Sequence, residues 1–192
     1  SRPIGETQID LMRAFTSDGR TTGEYPLGNL VVDAMLAASP GADLATYNQG
    51  VRADLPKGPI TFGKLYEVLP FDNTVTLMDL KGEDLKAVME IAASCPRLNE
   101  LIAGMSFEYD CNKPNRQRVS NIRIKGQPFD PQKVYRVATI DYLATGGDGQ
   151  APYTKGTNLV YGDPVIDVVA AYVTKNSPLN PKVDGRIVNV TK

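Results

Sequence analysis

Three short stretches of this chain concentrate side chains that could grip a small polar molecule. YNQGVRAD (47–54) places an amide pair and a glycine ahead of Arg52. LPFDNTV (69–75) sets Phe71, Asp72 and Asn73 after a proline, and YLATGGDGQ (142–150) wraps three glycines around Asp148, a few residues after Tyr142. Taken singly, each has an ordinary explanation. Phe71 fits a core plug, Arg52 fits a surface ion pair, and Asp72-Asn73 and the 146–149 run have turn composition. Taken together they supply two aromatic rings, an amide, a carboxylate and a guanidinium on loops at strand ends, where binding groups tend to sit. That is the inventory for a nucleoside. Rings stack on the faces of a base, each stack being worth about 1–3 kcal/mol. An asparagine amide donates and accepts at the base edge, a carboxylate accepts ribose hydroxyls, and arginine pairs with phosphate oxygens.

Composition removes several other chemistries. There is no histidine, so a Ser-His-Asp triad, a histidine zinc site and a histidine general base are excluded, and two cysteines cannot build a tetrahedral thiolate site. No catalytic residue and no metal ligand are therefore expected in the chain. Cys95 and Cys111 are either two unrelated thiols or a disulfide, which would contribute about 3 kcal/mol by closing its loop and would fit an exported protein. A net charge of −1 without a basic block argues against a nucleic-acid polymer as partner. No apolar run approaches the roughly 18–20 residues of a membrane span.

The elements that must position these loops are legible from periodicity. Apolar residues at helical spacing mark LGNLVVDAMLAAS (27–39), KGEDLKAVMEIAAS (81–94) and GDPVIDVVAAYVTK (162–175). Glu83 and Asp84 suit the first turn of the second helix, and Asp163 as N-cap followed by Pro164 at N1 suits the start of the third. Strand composition or alternation marks 42–47, 73–80, 105–110, 119–125, 134–140 and 186–190, with a short helix between the first two. CNKPNRQR (111–118) reads as a hairpin loop and KGQPFDPQK (125–133) as a connector. The order lacks strict βαβ alternation, so the fold class expected is α+β, a mixed β-sheet packed by helices. No linker divides the chain, and residues 1–192 are expected to form a single domain. The opening SRPIGETQID has neither an initiator methionine nor a signal-peptide pattern, and reads as a processed or truncated piece.

Across nearly its whole length the sequence resembles the C-terminal, substrate-binding domain of the 5′-nucleotidase and UDP-sugar hydrolase family. The resemblance is carried, in order, by GEYPLGNLVVDAM, GADLATYNQGVRADLPKGPIT, YEVLPFDNTVTLMDLKGEDL, VYRVATIDYLATGGDG and a closing DGRI. It implies that Phe71 and Tyr142 sandwich the base, Asn73 bonds the base edge, and Asp148 takes the ribose hydroxyls on a loop shaped by Gly146, Gly147 and Gly149. Arg52 would reach the phosphate or ribose side, Arg20 would be the upstream phosphate-binding arginine, and Gly104 would approach the base through its backbone. Two departures stand out. The family usually has phenylalanine where Tyr142 adds a hydroxyl. The N-Q-G-V-R loop is one residue short, so Asn48 and Gln49 are not among the ligands assigned.

The resemblance further implies that phosphoester cleavage belongs to a covalently linked N-terminal metallophosphoesterase domain, outside this chain, that carries the divalent metals. The chain itself would need no cofactor and would be inactive alone. Its partner would be a nucleotide or nucleoside, and its location the periplasm or cell exterior. Two alternatives are a stand-alone nucleotide-binding module and an interaction domain that has kept the fold without the pocket.

Overall fold

The computed structural model of the chain describes residues 2–13 and 23–192. In chain order the elements are β1 (Pro3–Thr7), α1 (Pro26–Ala37), β2 (Leu44–Asn48), β3 (Gly58–Thr61), α2 (Phe62–Val68), β4 (Thr74–Lys81), α3 (Gly82–Ala92), β5 (Glu100–Ala103), β6 (Met105–Tyr109), β7 (Val119–Ile124), β8 (Gln127–Pro128), β9 (Val134–Ile140), α4 (Asp141–Ala144), β10 (Thr157–Pro164), α5 (Val165–Asn176) and β11 (Ile187–Asn189). Two short 3₁₀ turns, Gly147–Gly149 and Ala151–Lys155, lie between α4 and β10.

The central sheet has the order β10-β4-β9-β2-β5. β2 and β9 run parallel, and every other neighbouring pair in it is antiparallel. A second sheet, β11-β6-β7-β8, pairs β11 with β6 in parallel, and β1 pairs with β3 as a separate ribbon. The fold is thus α+β with mixed sheets. α1 packs on β2 and β5 and against α5. Its Leu27, Leu30, Val31, Ala34 and Met35 are buried, as are Leu85, Val88, Met89 and Ala92 of α3. The helical stripes read from the sequence are core, except that Ala38 lies past the end of α1 and is exposed, and Tyr172 of α5 is only partly buried. Cys95 and Cys111 form a disulfide that ties the segment after α3 to the β6–β7 turn.

One helix start differs from expectation. Residues 157–164 form β10 along the edge of β4, with Pro164 opposite Thr74. The Val165 N–H donates to the carbonyl of Asn73 at 2.9 Å, so Asp163 is a strand residue and Pro164 is the residue preceding the helix. The ladder with β4 recruits the segment that a cap would have used.

Topology decides where the loops meet. β2 and β9 are parallel, so their C-terminal ends, at Asn48 and Ile140, point the same way. β4 and β5 run against them, with Val75 opposite Ile140 and Glu100 opposite Asn48, so their first residues lie at that same sheet edge. The three loops singled out from the sequence are therefore brought together with the start of β5.

Candidate nucleoside-binding cleft

At this edge lies a cleft of about 750 Å³ lined by Asn48, Gln49, Gly50, Arg52, Phe71, Asp72, Asn73, Asn99, Tyr142 and Asp148. Phe71 and Tyr142 are 42% and 45% exposed, so neither ring is a core plug. The stacked aromatic pair among the described residues is Phe129 with Tyr135, elsewhere in the fold. The Arg52 guanidinium lies over the Phe71 ring, 5.0 Å from its centroid, a cation–π contact that holds both side chains. Arg52 Nη1 also donates to the Gln49 carbonyl at 2.9 Å.

Asn73 is fixed by a neighbour that sequence reasoning missed. Its Nδ2 donates to Asp141 Oδ1 at 3.0 Å, and the same oxygen accepts the backbone N–H of Thr74 at 3.2 Å and of Tyr142 at 2.9 Å. One carboxylate oxygen therefore joins the Phe71–Asn73 loop to the first turn of α4, and so sets one ring relative to the other. The signal available was position: an aspartate directly after a strand, opening a short helix, is placed to accept backbone N–H groups.

The glycine-rich loop is shaped by close approach. Gly146 has φ 90°, a conformation open to glycine at little cost. A Cβ on Gly147 would come within 2.5 Å of the Tyr142 ring, so the ring lies directly over the backbone there. The Tyr142 hydroxyl donates to Asp148 Oδ1 at 3.0 Å, and Asn48 Nδ2 donates to Asp148 Oδ2 at 2.8 Å. Asn48 thus belongs to the cleft despite the shortened loop. Gln49 lines it too, but its side chain is committed, accepting from the Tyr25 hydroxyl at 3.0 Å and donating to the Leu98 carbonyl at 3.1 Å.

Behind the cleft, Glu100 is buried opposite Asn48. Burial foremost, and then the charge of Asp148, push its pKa up to about 8, against a smaller opposing effect of its bond from Gln150. Nothing in the sequence marked this residue, because ELIA is a short buried run without alternation.

Of the other residues assigned through the resemblance, Gly104 lies apart from the cleft. β5 runs away from the cleft edge, with Glu100 opposite Asn48 and Ala103 opposite Ala45, so Gly104 sits at the far end. There its φ of 71° makes the corner into β6, and a Cβ would come within 2.6 Å of the Asp43 carbonyl. Arg20 lies outside the described residues. Among the described residues no group of three or more His, Cys, Asp or Glu side chains is arranged to hold a metal ion, and no helix is long and apolar enough to cross a membrane.

Residues 3–155 match the family described as 5′-nucleotidase, C-terminal domain. Endonuclease YhcR of Bacillus subtilis is 32% identical over 191 residues, a match covering 97% of this chain and 15% of that protein. The trifunctional nucleotide phosphoesterase protein YfkN of the same organism is 33% identical over 186 residues, covering 88% of this chain and 13% of its own length. The crystal structure of a 5′-nucleotidase precursor from Thermus thermophilus superposes with a TM-score of 0.91 at 32% identity, over 98% of this chain and 39% of that one. The chain spans well under half of each of these proteins. Sequence and fold agree: the chain belongs to the 5′-nucleotidase C-terminal domain family.

Proposed function

We propose that this chain is the nucleotide- or nucleoside-binding specificity domain of an exported 5′-nucleotidase-type phosphoester hydrolase. The base stacks between Phe71 and Tyr142, Asn73 bonds its edge, Asp148 receives the ribose hydroxyls, and Arg52 serves the phosphate or ribose side. The observation that carries this reading is the convergence of two exposed rings, an amide, a carboxylate and a guanidinium on one cleft of about 750 Å³, a volume within the range of small-molecule sites.

The chemistry of cleavage is assigned to a covalently linked N-terminal domain. The chain's own donor set does not fit a metal pair, since it has no histidine and, among the described residues, no group of three or more carboxylates or thiols that could hold a metal ion. In this reading di-metal activation of water is the work of that domain, and the chain alone is expected to be inactive. Relatives that are several times longer, one named an endonuclease and one a nucleotide phosphoesterase, support the division. The Cys95–Cys111 disulfide supports export to an oxidising compartment.

Titration calorimetry with adenosine and AMP tests the reading. Binding to the unsubstituted chain is expected to be weak but measurable. Two stacks at about 1–3 kcal/mol each mean that the Phe71→Ala, Tyr142→Ala double variant loses affinity by about 30-fold or more. Unchanged affinity in the double variant would sink the site assignment.

A further inference from the structure

Tyr142 carries a group that stacking does not require. Its hydroxyl donates to Asp148 Oδ1 at 3.0 Å and accepts from the Asp148 backbone N–H at 3.2 Å. One oxygen thus grips both the carboxylate and the main chain of the same residue. Asp148 is held in the left-handed region, at φ 55° and ψ 24°, which costs a non-glycine residue about 1–2 kcal/mol. The reciprocal clamp offsets that cost. The ring cannot drift away from the loop, because it is packed against Gly147.

Lone pairs define what the clamped carboxylate offers. An ionised carboxylate has about four acceptor sites, two on each oxygen. The protein occupies one site on Oδ1 through Tyr142 and one on Oδ2 through Asn48. One site remains on each oxygen, and two acceptors side by side match two hydroxyls on adjacent carbons. A sugar with only one hydroxyl, or none, leaves an acceptor unmatched beside the ligand, and such groups discriminate strongly.

We propose that the Tyr142 hydroxyl is a sugar-specificity determinant: by clamping Asp148 it presents the carboxylate to both hydroxyls of a ribose 2′,3′-diol, and so selects ribonucleosides over deoxyribonucleosides. This rests on the nucleoside reading of the cleft. Beyond stacking, Tyr142 acts here as a positioning residue, through Asp148. A phenylalanine would stack equally and leave Asp148 held by Asn48 alone.

The test compares adenosine with 2′,3′-dideoxyadenosine by calorimetry, in the unsubstituted chain, Tyr142→Phe, Asp148→Asn and the double variant. The unsubstituted chain is expected to prefer adenosine. Tyr142→Phe should lower that preference about tenfold, the effect of losing one charge-assisted hydrogen bond. In the Asp148→Asn background the same change should lower it no further. The readout is a ratio of two ligands on one protein, and Asp148→Asn reads the preference independently should the phenylalanine variant fold poorly. An unchanged ratio in Tyr142→Phe, with both ligands still bound, overturns the proposal and leaves the nucleoside reading standing. Failure of both ligands to bind the unsubstituted chain overturns that reading and the proposal with it.

Discussion

Replacing Glu100 by glutamine should stabilise the protein, and the gain should grow with pH. Glu100 is 1% exposed. Its Oε1 accepts from Gln150 Nε2 at 3.0 Å, while Glu100 Oε2 and Gln150 Oε1 have no partner. A single proton on Oε2 would give the pair a donor for the stranded amide oxygen, which agrees with a pKa pushed up from 4.5 to about 8 by burial and by Asp148. Between these two values the folded protein holds a proton that the unfolded chain has released. Stability therefore falls as pH rises through this window and levels off above it. At about 1.4 kcal/mol per pH unit the whole span corresponds to about 5 kcal/mol, a ceiling that side-chain relaxation and water entry lower to about 2–4 kcal/mol.

Glutamine has the same shape and cannot ionise. Its Oε1 would keep the bond from Gln150, and its Nε2 would donate to Gln150 Oε1. Urea unfolding of both proteins from about pH 4 to about pH 9 measures the difference. Near the acid end the two stabilities should agree closely. Above about pH 8 the variant should lead by about 2–4 kcal/mol. A difference that does not change with pH would refute the reasoning, as would a variant that is the less stable at alkaline pH. Either result would mean that Glu100 is already ionised and served at neutral pH.

Two further predictions concern the frame. Arg186, whose side chain is 12% exposed, donates to Asp33 at 2.7 Å, to Asp184 at 2.7 Å and to the Ile102 carbonyl at 3.0 Å. Arg186→Ala should cost about 3–5 kcal/mol, because it leaves the buried Glu24 carboxylate, 3.7 Å from Arg186 Nε and 3% exposed, without its cation, and a chemical denaturation curve reads the loss directly. Removing the Cys95–Cys111 link, by reduction or by the paired Cys→Ser substitutions, should cost about 3 kcal/mol. The expected sign is a lower urea midpoint with nucleoside affinity kept, since neither cysteine lines the cleft.

The parts of the fold that were legible in the sequence are those with a strong period. β9 forms over the residues read from VYRVATI, and α1 and α3 follow their apolar stripes to within a few residues. β5 and β10 were not legible, for opposite reasons. All four residues of β5 are buried, so it shows no alternation. β10 is exposed along almost its whole length and contains Gly162 and Pro164, so composition reads as a turn. Its existence follows from tertiary pairing along β4, with irregularities in register that leave no period in the sequence. β1 and β3, short segments carrying proline and glycine, were hidden in the same way.

The residues of the candidate cleft were legible by type, and their contacts were hidden by geometry. Aromatic, amide and carboxylate side chains on loops could be singled out, and a shared cleft follows from sheet order. With β2 and β9 parallel and β4 and β5 running against them, two strand ends and two strand starts must share one edge. What types and spacing could not give is which polar atoms are already engaged. Asn48 carries no role in a loop one residue short, yet it donates to Asp148 from the neighbouring end of β2. Asp141 was marked only by its position after a strand, yet it fixes both Asn73 and the backbone of Tyr142. The hydroxyl that sets Tyr142 apart from phenylalanine is turned onto Asp148. These contacts join residues that are distant in sequence, or depend on a single backbone conformation such as that of Asp148. On the nucleoside reading proposed above, recognition depends less on the number of polar groups present than on how many acceptor sites the fold leaves open, and the two left on Asp148 are the ones a ribose would need.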